Sequence, residues 1–414
     1  MSVSTLPSTQ QTTIADTNVL QNIGELLAVT ICTLAFMVSA IGIGLNLVTS
    51  TDVGHRDFIT YWSAAQQLTH HSNPYSVTEV QRIEKANGFP SNMETMLMRN
   101  PPLAFPLVYP LGFFSAKVAA RIWSAFLLFF LVASVRMVWE IHGRPKTQMN
   151  IFGYTFSAAL SCLSAGQMSL IVLLGLALFL RLHRTYPVIA GASLLLLALK
   201  PHLFLPFFLA LMLWCIVRRQ FRLMAGAVGA LLICLAIAYV LDPAGWTQYR
   251  GMMSQVHLDT ESIPGLSFLF LWLHPSSEWL KYVAGMLGCV WAGWYFYRYR
   301  REWDWLEHGS IVVLVSVVVA PYAWFTDQSV LIPALLHALY RTRSRWAVAI
   351  LALLSAVIEV AVFRGAPLIY LGVWIAPVWL AWYLWAENYA RNVNDPPPPP
   401  PPPLLVLTPP TSMC

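Results

Sequence analysis

The stretch "YPVIAGASLLLLALKPHLFLPFFLALMLWCIV" occupies Tyr186 to Val217 and carries one charged side chain, Lys200, near its middle. As a single helix at about 1.5 Å per residue it would measure on the order of 50 Å, well beyond a bilayer core of about 30 Å. Pro201 restrains the backbone beside the charge and removes an amide donor. The stretch therefore reads as a hairpin of two short helices with a polar tip at Lys200-Pro201-His202.

Three other apolar stretches share this plan: Asn150 to Leu182, Gly309 to Tyr340, and Trp346 to Asn388. Their interruptions are Gly166-Gln167, "PYAWFTDQ" (Pro321 to Gln328), and Arg364-Gly365-Ala366-Pro367. The outer ends of the four stretches are basic, with Arg144 and Lys146, Arg181 and Arg184, Arg218, Arg219 and Arg222, Arg298, Arg300 and Arg301, and Arg341, Arg343 and Arg345. Single crossings would scatter these clusters over both faces. Hairpins put all of them on the cytoplasmic side, as the positive-inside rule requires. Clear single spans cover Leu26 to Val48, Val118 to Ile141, Arg222 to Leu241 and Trp279 to Tyr297. The expected fold is an all-α polytopic membrane protein with about twelve transmembrane helices, several short and paired, and both termini inside.

Composition agrees. Of 414 residues, 57% are hydrophobic and 11% charged, against about 25% charged in soluble domains, and mean hydropathy is +0.60. The net charge of +6 sits in short interhelical clusters without a basic stripe, which argues against nucleic-acid binding. Five of the six cysteines lie in apolar runs and no C-x-x-C pair occurs, so neither a disulfide framework nor a zinc site is expected. Residues 1–25 are expected as a cytoplasmic N-terminal segment, 26–388 as the transmembrane domain with 49–117 as its first extracytoplasmic loop, and 389–414 as a proline-rich cytoplasmic tail.

Within this topology "GHRDFITYWSAAQQL" (Gly54 to Leu68) falls in the first outer loop. Its Asp57, with Tyr61 one turn on, is a candidate general base for a sugar hydroxyl; the competing reading is a solvated acid paired with Arg56. Lys200, with His202 adjacent, is a candidate phosphate contact, or else a turn lysine that snorkels to water. Arg364 poses the same alternative. Gln167 offers an amide to a ligand hydroxyl at a glycine break. Asp327 and Tyr322 occupy the third tip, where Asp327 would anchor a sugar hydroxyl or the lysine. No P-loop or complete G-x-G-x-x-G is present.

Asp57-Phe58 with Tyr61, "NPYS" (Asn73 to Ser76), "RNPPLAFPLVYPLG" (Arg99 to Gly112), Gly166-Gln167, Lys200-Pro201 and "APYAWFTDQSVLIPALL" (Ala320 to Leu336) together resemble the glycosyltransferase 87 family, from about Ile23 to Tyr340. The resemblance implies a GT-C type membrane enzyme of the cell envelope, in a bacterial inner membrane. Such an enzyme transfers a hexose, usually mannose, from a polyprenyl-phosphate carrier to a glycan, glycolipid or protein acceptor, with inversion and on the extracytoplasmic side. It implies Asp57 as the catalytic acidic residue. Tyr61, Gln167, Lys200, His202, Tyr322, Asp327 and Arg364 are the candidate substrate-binding positions, with Lys200 or Arg364 stabilising the departing phosphate. The donor is a substrate, and no cofactor or metal ligand set is expected. The chain departs from the family where Ala320 replaces a serine and where Thr326 or Asp327 stands in the region of a histidine found in some members. The alternative class is a lipid or small-solute transporter or flippase, which also uses broken helices; a non-catalytic envelope subunit is a third.

Overall fold

The first described element is α1 (Ser8–Thr49), a 42-residue helix. The loop region that follows holds α2 (Phe58–Thr69), α3 (Val77–Ala86) and the short α4 (Phe105–Val108), then α5 (Ala116–Ile141) crosses the bundle. The first broken stretch forms α6 (Ile151–Thr155), α7 (Ser157–Ala165) and α8 (Ser169–Leu182), and the second forms α9 (Pro187–Leu197) and α10 (Leu205–Val217). After these come α11 (Phe221–Leu241), α12 (Gly245–Gln255), α13 (Leu266–Leu273) and α14 (Val283–Tyr299). The third broken stretch is α15 (His308–Val318) and α16 (Ile332–Thr342), followed by α17 (Arg345–Phe363) and α18 (Ile375–Asn394). This computed structural model describes residues 8–49, 57–88, 95–255, 265–273, 277–342, 344–363 and 373–394, and no strand occurs among them. His55, Arg56, the Arg364 tip and the proline run lie outside the described residues.

Each described break has a local cause. Gly166 ends α7 in the left-handed region (φ +75°), where a glycine meets no Cβ penalty. The amides of Gly166 and Gln167 both donate to the Cys162 carbonyl, at 2.9 and 3.0 Å, and close the helix end. Lys200 lies outside the helical region (φ −136°, ψ 65°), because the ring of a following proline disfavours the α conformation. The third stretch leaves helix after Val318, passes Pro321, and re-enters through a 3₁₀ segment, Phe325–Leu331.

Four helices have the length and composition to cross a membrane by themselves: Val19–Val48, Ala116–Ile141, Phe221–Leu241 and Arg345–Val362. Other apolar helical segments are shorter, among them Ser169–Leu182, Pro187–Leu197 and His308–Val318. Fourteen residues rise only about 21 Å, so none of these reaches across alone. The stretch expected as a clear span over Trp279 to Tyr297 is instead a 3₁₀ turn, Glu278–Tyr282, followed by the 17 residues of α14. The α-helix is shortened at its start, where the 3₁₀ turn takes the first residues, and at its other end it runs past Tyr297 to Tyr299.

The basic clusters meet at one end of the bundle. Arg184 pairs with Asp304 at 2.6 Å, Arg144 and Arg181 with Glu140, and Arg341 and Arg391 with Glu307. Arg218 donates to the carbonyls of Arg300 and Arg301. The polar tips stand at the opposite ends of the same helices: Gln167 precedes α8 and Arg181 closes it, while His202 precedes α10 and Arg218 follows it. Two glycines set the spacing beside this layer. A Cβ on Gly191 of α9 would sit 1.9 Å from the Leu223 carbonyl oxygen, and one on Gly226 of α11 would sit 2.0 Å from that of Val188. The two backbones therefore touch, the close approach that small residues permit between membrane helices.

Candidate active site

Three tips and the start of α2 enclose a cavity of about 450 Å³. Asp57, Tyr61, Gln167, Lys200, His202, Tyr322 and Asp327 all line it, although up to 270 residues separate them in the chain. Arg364 lies outside the described residues.

Asp57 stands just before α2, but its side chain does not cap that helix. Its Oδ2 instead accepts a hydrogen bond from Gln167 Nε2 at 2.6 Å. The aromatic residues that follow hold the carboxylate in place. Phe58 is wholly buried, and Tyr61 packs on Trp123 with ring centroids 5.5 Å apart. The Trp123 indole donates to the Gly166 carbonyl at 2.7 Å, so α2 is fastened through α5 to the glycine break.

Gln167 is the junction of the site. Its Oε1 accepts from the Tyr61 hydroxyl and from Lys200 Nζ, each at 3.0 Å. An amide oxygen accepts and an amide nitrogen donates, so two donors on one atom decide which way the amide faces. Nε2 is thereby turned toward Asp57.

Lys200 also donates to Ser169 Oγ at 3.0 Å and to Asp327 Oδ1 at 2.5 Å. An ammonium carries three donors, and these three acceptors match them. Asp327 Oδ1 accepts in addition from Ser169 Oγ at 2.6 Å, and its Oδ2 from the Trp324 amide at 2.9 Å. Lysine and aspartate are 6% and 1% exposed, and a buried charge of this kind is tolerated only with its partner in place. Of the two anchoring roles expected for Asp327, the structure displays the bond to lysine. His202 stacks on Tyr322 with centroids 3.7 Å apart and rings inclined by 23°, forming a flat aromatic wall near Trp324.

The cavity has lining residues that sequence reasoning does not single out: Thr60, Thr95, Met96, Leu97, Arg99, Asn100 and Trp324. Arg99 and Asn100 open the "RNPP" motif, where a charge beside two prolines is a usable signal; Ser169 carries none. Glu84 of α3 supports this wall from behind. It is fully buried, and its Oε1 accepts from the Met96 amide at 3.1 Å. Burial pushes its carboxyl up to about 7, against the opposing pull of the Met96 amide. Among the described residues no group of three His, Cys, Asp or Glu is placed to hold a metal ion.

A helical membrane bundle with a carboxylate, a buried ion pair and an aromatic wall gathered at one end has the make-up of a membrane-embedded enzyme. The chain belongs to glycosyltransferase family 87, whose family model matches residues 99–328, more than half of the sequence. It is a membrane glycosyltransferase, which sets aside the transporter and subunit readings. No curated protein and no solved structure matches it. The matched residues contain Gln167, Lys200, His202, Tyr322 and Asp327 and begin at Arg99. Asp57 and Tyr61 precede them, so their place in the site rests on their bonds to Gln167.

Proposed function

We propose that this enzyme transfers a hexose, mannose by family resemblance, from a polyprenyl-phosphate carrier to a hydroxyl of a lipid-linked, glycan or protein acceptor. The observation that carries this reading is the bond from Gln167 Nε2 to Asp57, which holds a carboxylate in a cavity that also presents cationic and aromatic walls. Asp57 is the general base. As the acceptor oxygen attacks the anomeric carbon, its proton passes to the Asp57 carboxylate, and the bond from that carbon to the phosphate oxygen breaks on the opposite face. The bonding electrons leave with the phosphate, so the product is inverted. A lipid phosphate is already a stable anion, and a fixed positive charge that meets it stabilises the transition state without a general acid.

The arginine-rich end is assigned to the cytoplasm by the positive-inside rule, which puts the cavity on the extracytoplasmic side of a bacterial inner membrane. Counted with its paired short helices, the bundle makes about twelve passages in a GT-C type arrangement. The test is single-turnover transfer by purified protein from a labelled polyprenyl-phosphate mannose, with a nucleotide sugar in parallel. Transfer from the nucleotide sugar alone would replace the donor assignment.

A further inference from the structure

The aromatic side chains that line the cavity are Tyr61, His202, Tyr322 and Trp324. Tyr61 packs on Trp123, and His202 and Tyr322 stack on each other. Trp324 meets no other ring among the described residues, and its indole N–H donates to none of them. The residue is half-buried, and the backbone beneath it is held. Its amide donates to Asp327 Oδ2 at 2.9 Å, and its carbonyl accepts from the Asp327 amide at 3.0 Å. Ala323 and Phe325 on either side are buried, and Ser267 Oγ donates to the Ala320 carbonyl at 2.9 Å. The largest flat ring of the cavity is thus fixed in place without another ring over it. Tyr322, two residues earlier, is also half-buried, and its hydroxyl makes no hydrogen bond among the described residues. By contrast, Gln167, Lys200 and Asp327 are joined to one another. An aromatic face carries partial negative charge and attracts C–H groups, while the indole N–H and the phenol O–H add a polar handle each. A hexopyranose is the complement of such a surface, with an apolar face of C–H groups and a rim of hydroxyls. A phosphate lacks the apolar face, and an isoprenoid chain lacks the hydroxyls.

We infer that Trp324 seats a hexopyranose ring of the reaction: the C–H face of the sugar lies on the indole, and its hydroxyls meet the indole N–H and the Tyr322 oxygen. His202 backs the Tyr322 ring from its other side. The donor's hexose and an acceptor sugar share this chemistry, and the two arms of the test separate them. The inference rests on the hexose transfer proposed above.

The test uses full-length protein in nanodiscs. Its first arm takes the ratio of affinities for polyprenyl-phosphate mannose and polyprenyl monophosphate, which isolates the donor's sugar. Its second arm takes the affinity for methyl α-mannoside with polyprenyl monophosphate at saturation, which reports a sugar bound beside the lipid. Trp324→Leu should lower the sugar affinity in one arm roughly tenfold, and Trp324→Phe should recover part of it because a flat ring returns. Tyr322→Phe keeps a ring against His202 and should lose about threefold in the same arm. A loss in the first arm seats the donor's hexose on the indole, and a loss in the second seats an acceptor sugar there. Polyprenyl monophosphate itself should bind all three variants within about twofold of wild type. An equal loss of monophosphate affinity in Trp324→Leu would put the lipid chain on the ring and overturn the inference. Wild-type sugar affinity of Trp324→Leu in both arms, or no sugar affinity in wild type, would overturn it as well. If wild type binds polyprenyl monophosphate no better than polyprenol, the donor reading falls, and the methyl α-mannoside arm alone decides for or against the inference.

Discussion

Gln167 donates to Asp57 at 2.6 Å, and the direction of that bond is set from the other end of the same amide, where Lys200 and Tyr61 each donate at 3.0 Å. The buried ion pair therefore reaches the Asp57 carboxylate at one remove. Its consequence is the aim of a neutral amide.

Asp57→Asn keeps the size of the side chain and removes its basicity. Transfer should fall by about 10²- to 10⁴-fold, the range for lost acid-base catalysis, while donor binding stays near wild type. Single-turnover transfer beside a donor-binding measurement checks both halves. Ordinary turnover in the variant would remove Asp57 as the base.

Gln167→Leu deletes the amide but keeps a side chain of similar bulk at the tip. Asp57 then loses its oriented donor and Lys200 loses one of its three acceptors. A misplaced base should lower the transfer rate by roughly tenfold or more, with a smaller change in the apparent Michaelis constant. A change confined to the Michaelis constant would instead mark Gln167 as a substrate contact only.

Lys200→Met leaves the Asp327 carboxylate buried without its counter-ion, a change that costs about 3–5 kcal/mol in comparable pairs. Thermal unfolding in detergent should register the loss. Lys200→Met/Asp327→Asn should recover most of it, because no charge is stranded. Equal stability of the single and double variants would mean that the pair is not coupled.

Glu84 gives a pH signature outside the spanning helices. Its carboxyl is held at about 7, above the ordinary 4.5, so the native state binds this proton more tightly than the unfolded chain. The stabilising contribution is fully present below about 4.5 and is lost as pH rises through about 7. Glu84→Gln should flatten this slope, and unfolding midpoints measured on either side of that window compare the two proteins. Parallel slopes would show that Glu84 does not titrate there.

Orientation is testable without enzymology. Asn73 and Gln148 are both exposed, the first in the α2–α3 loop and the second in the loop after α5 at the arginine-rich end. In intact cells an impermeant thiol reagent should label Asn73→Cys and spare Gln148→Cys. The reverse pattern would turn the cavity toward the cytoplasm.

Much of the architecture is a local property of the chain, and for that reason it is legible in the sequence. A helix of 32 apolar residues is too long for one crossing, a glycine can adopt φ +75°, and a proline cannot continue a hydrogen-bonded turn; each of these is decided within a few residues. The breaks at Gln167, Lys200 and Pro321, and the placing of the arginines at one end, follow from that and from the energetics of charge in a bilayer. The span expected over Trp279 to Tyr297 is helical along its length, but it opens as a 3₁₀ turn, so its α-helical part starts only at Val283 and continues to Tyr299. Hydrogen-bond partners are a different matter, since they depend on which helix ends pack together. Lys200 and Asp327 are 127 residues apart, and Asp57 and Gln167 are 110 apart. Nothing in the composition of either segment distinguishes a lysine that faces a phosphate from one whose three donors are taken by neighbouring tips. Packing alone decided that Lys200 is matched inside the protein, that Gln167 aims at Asp57, and that Arg99 stands on the cavity wall.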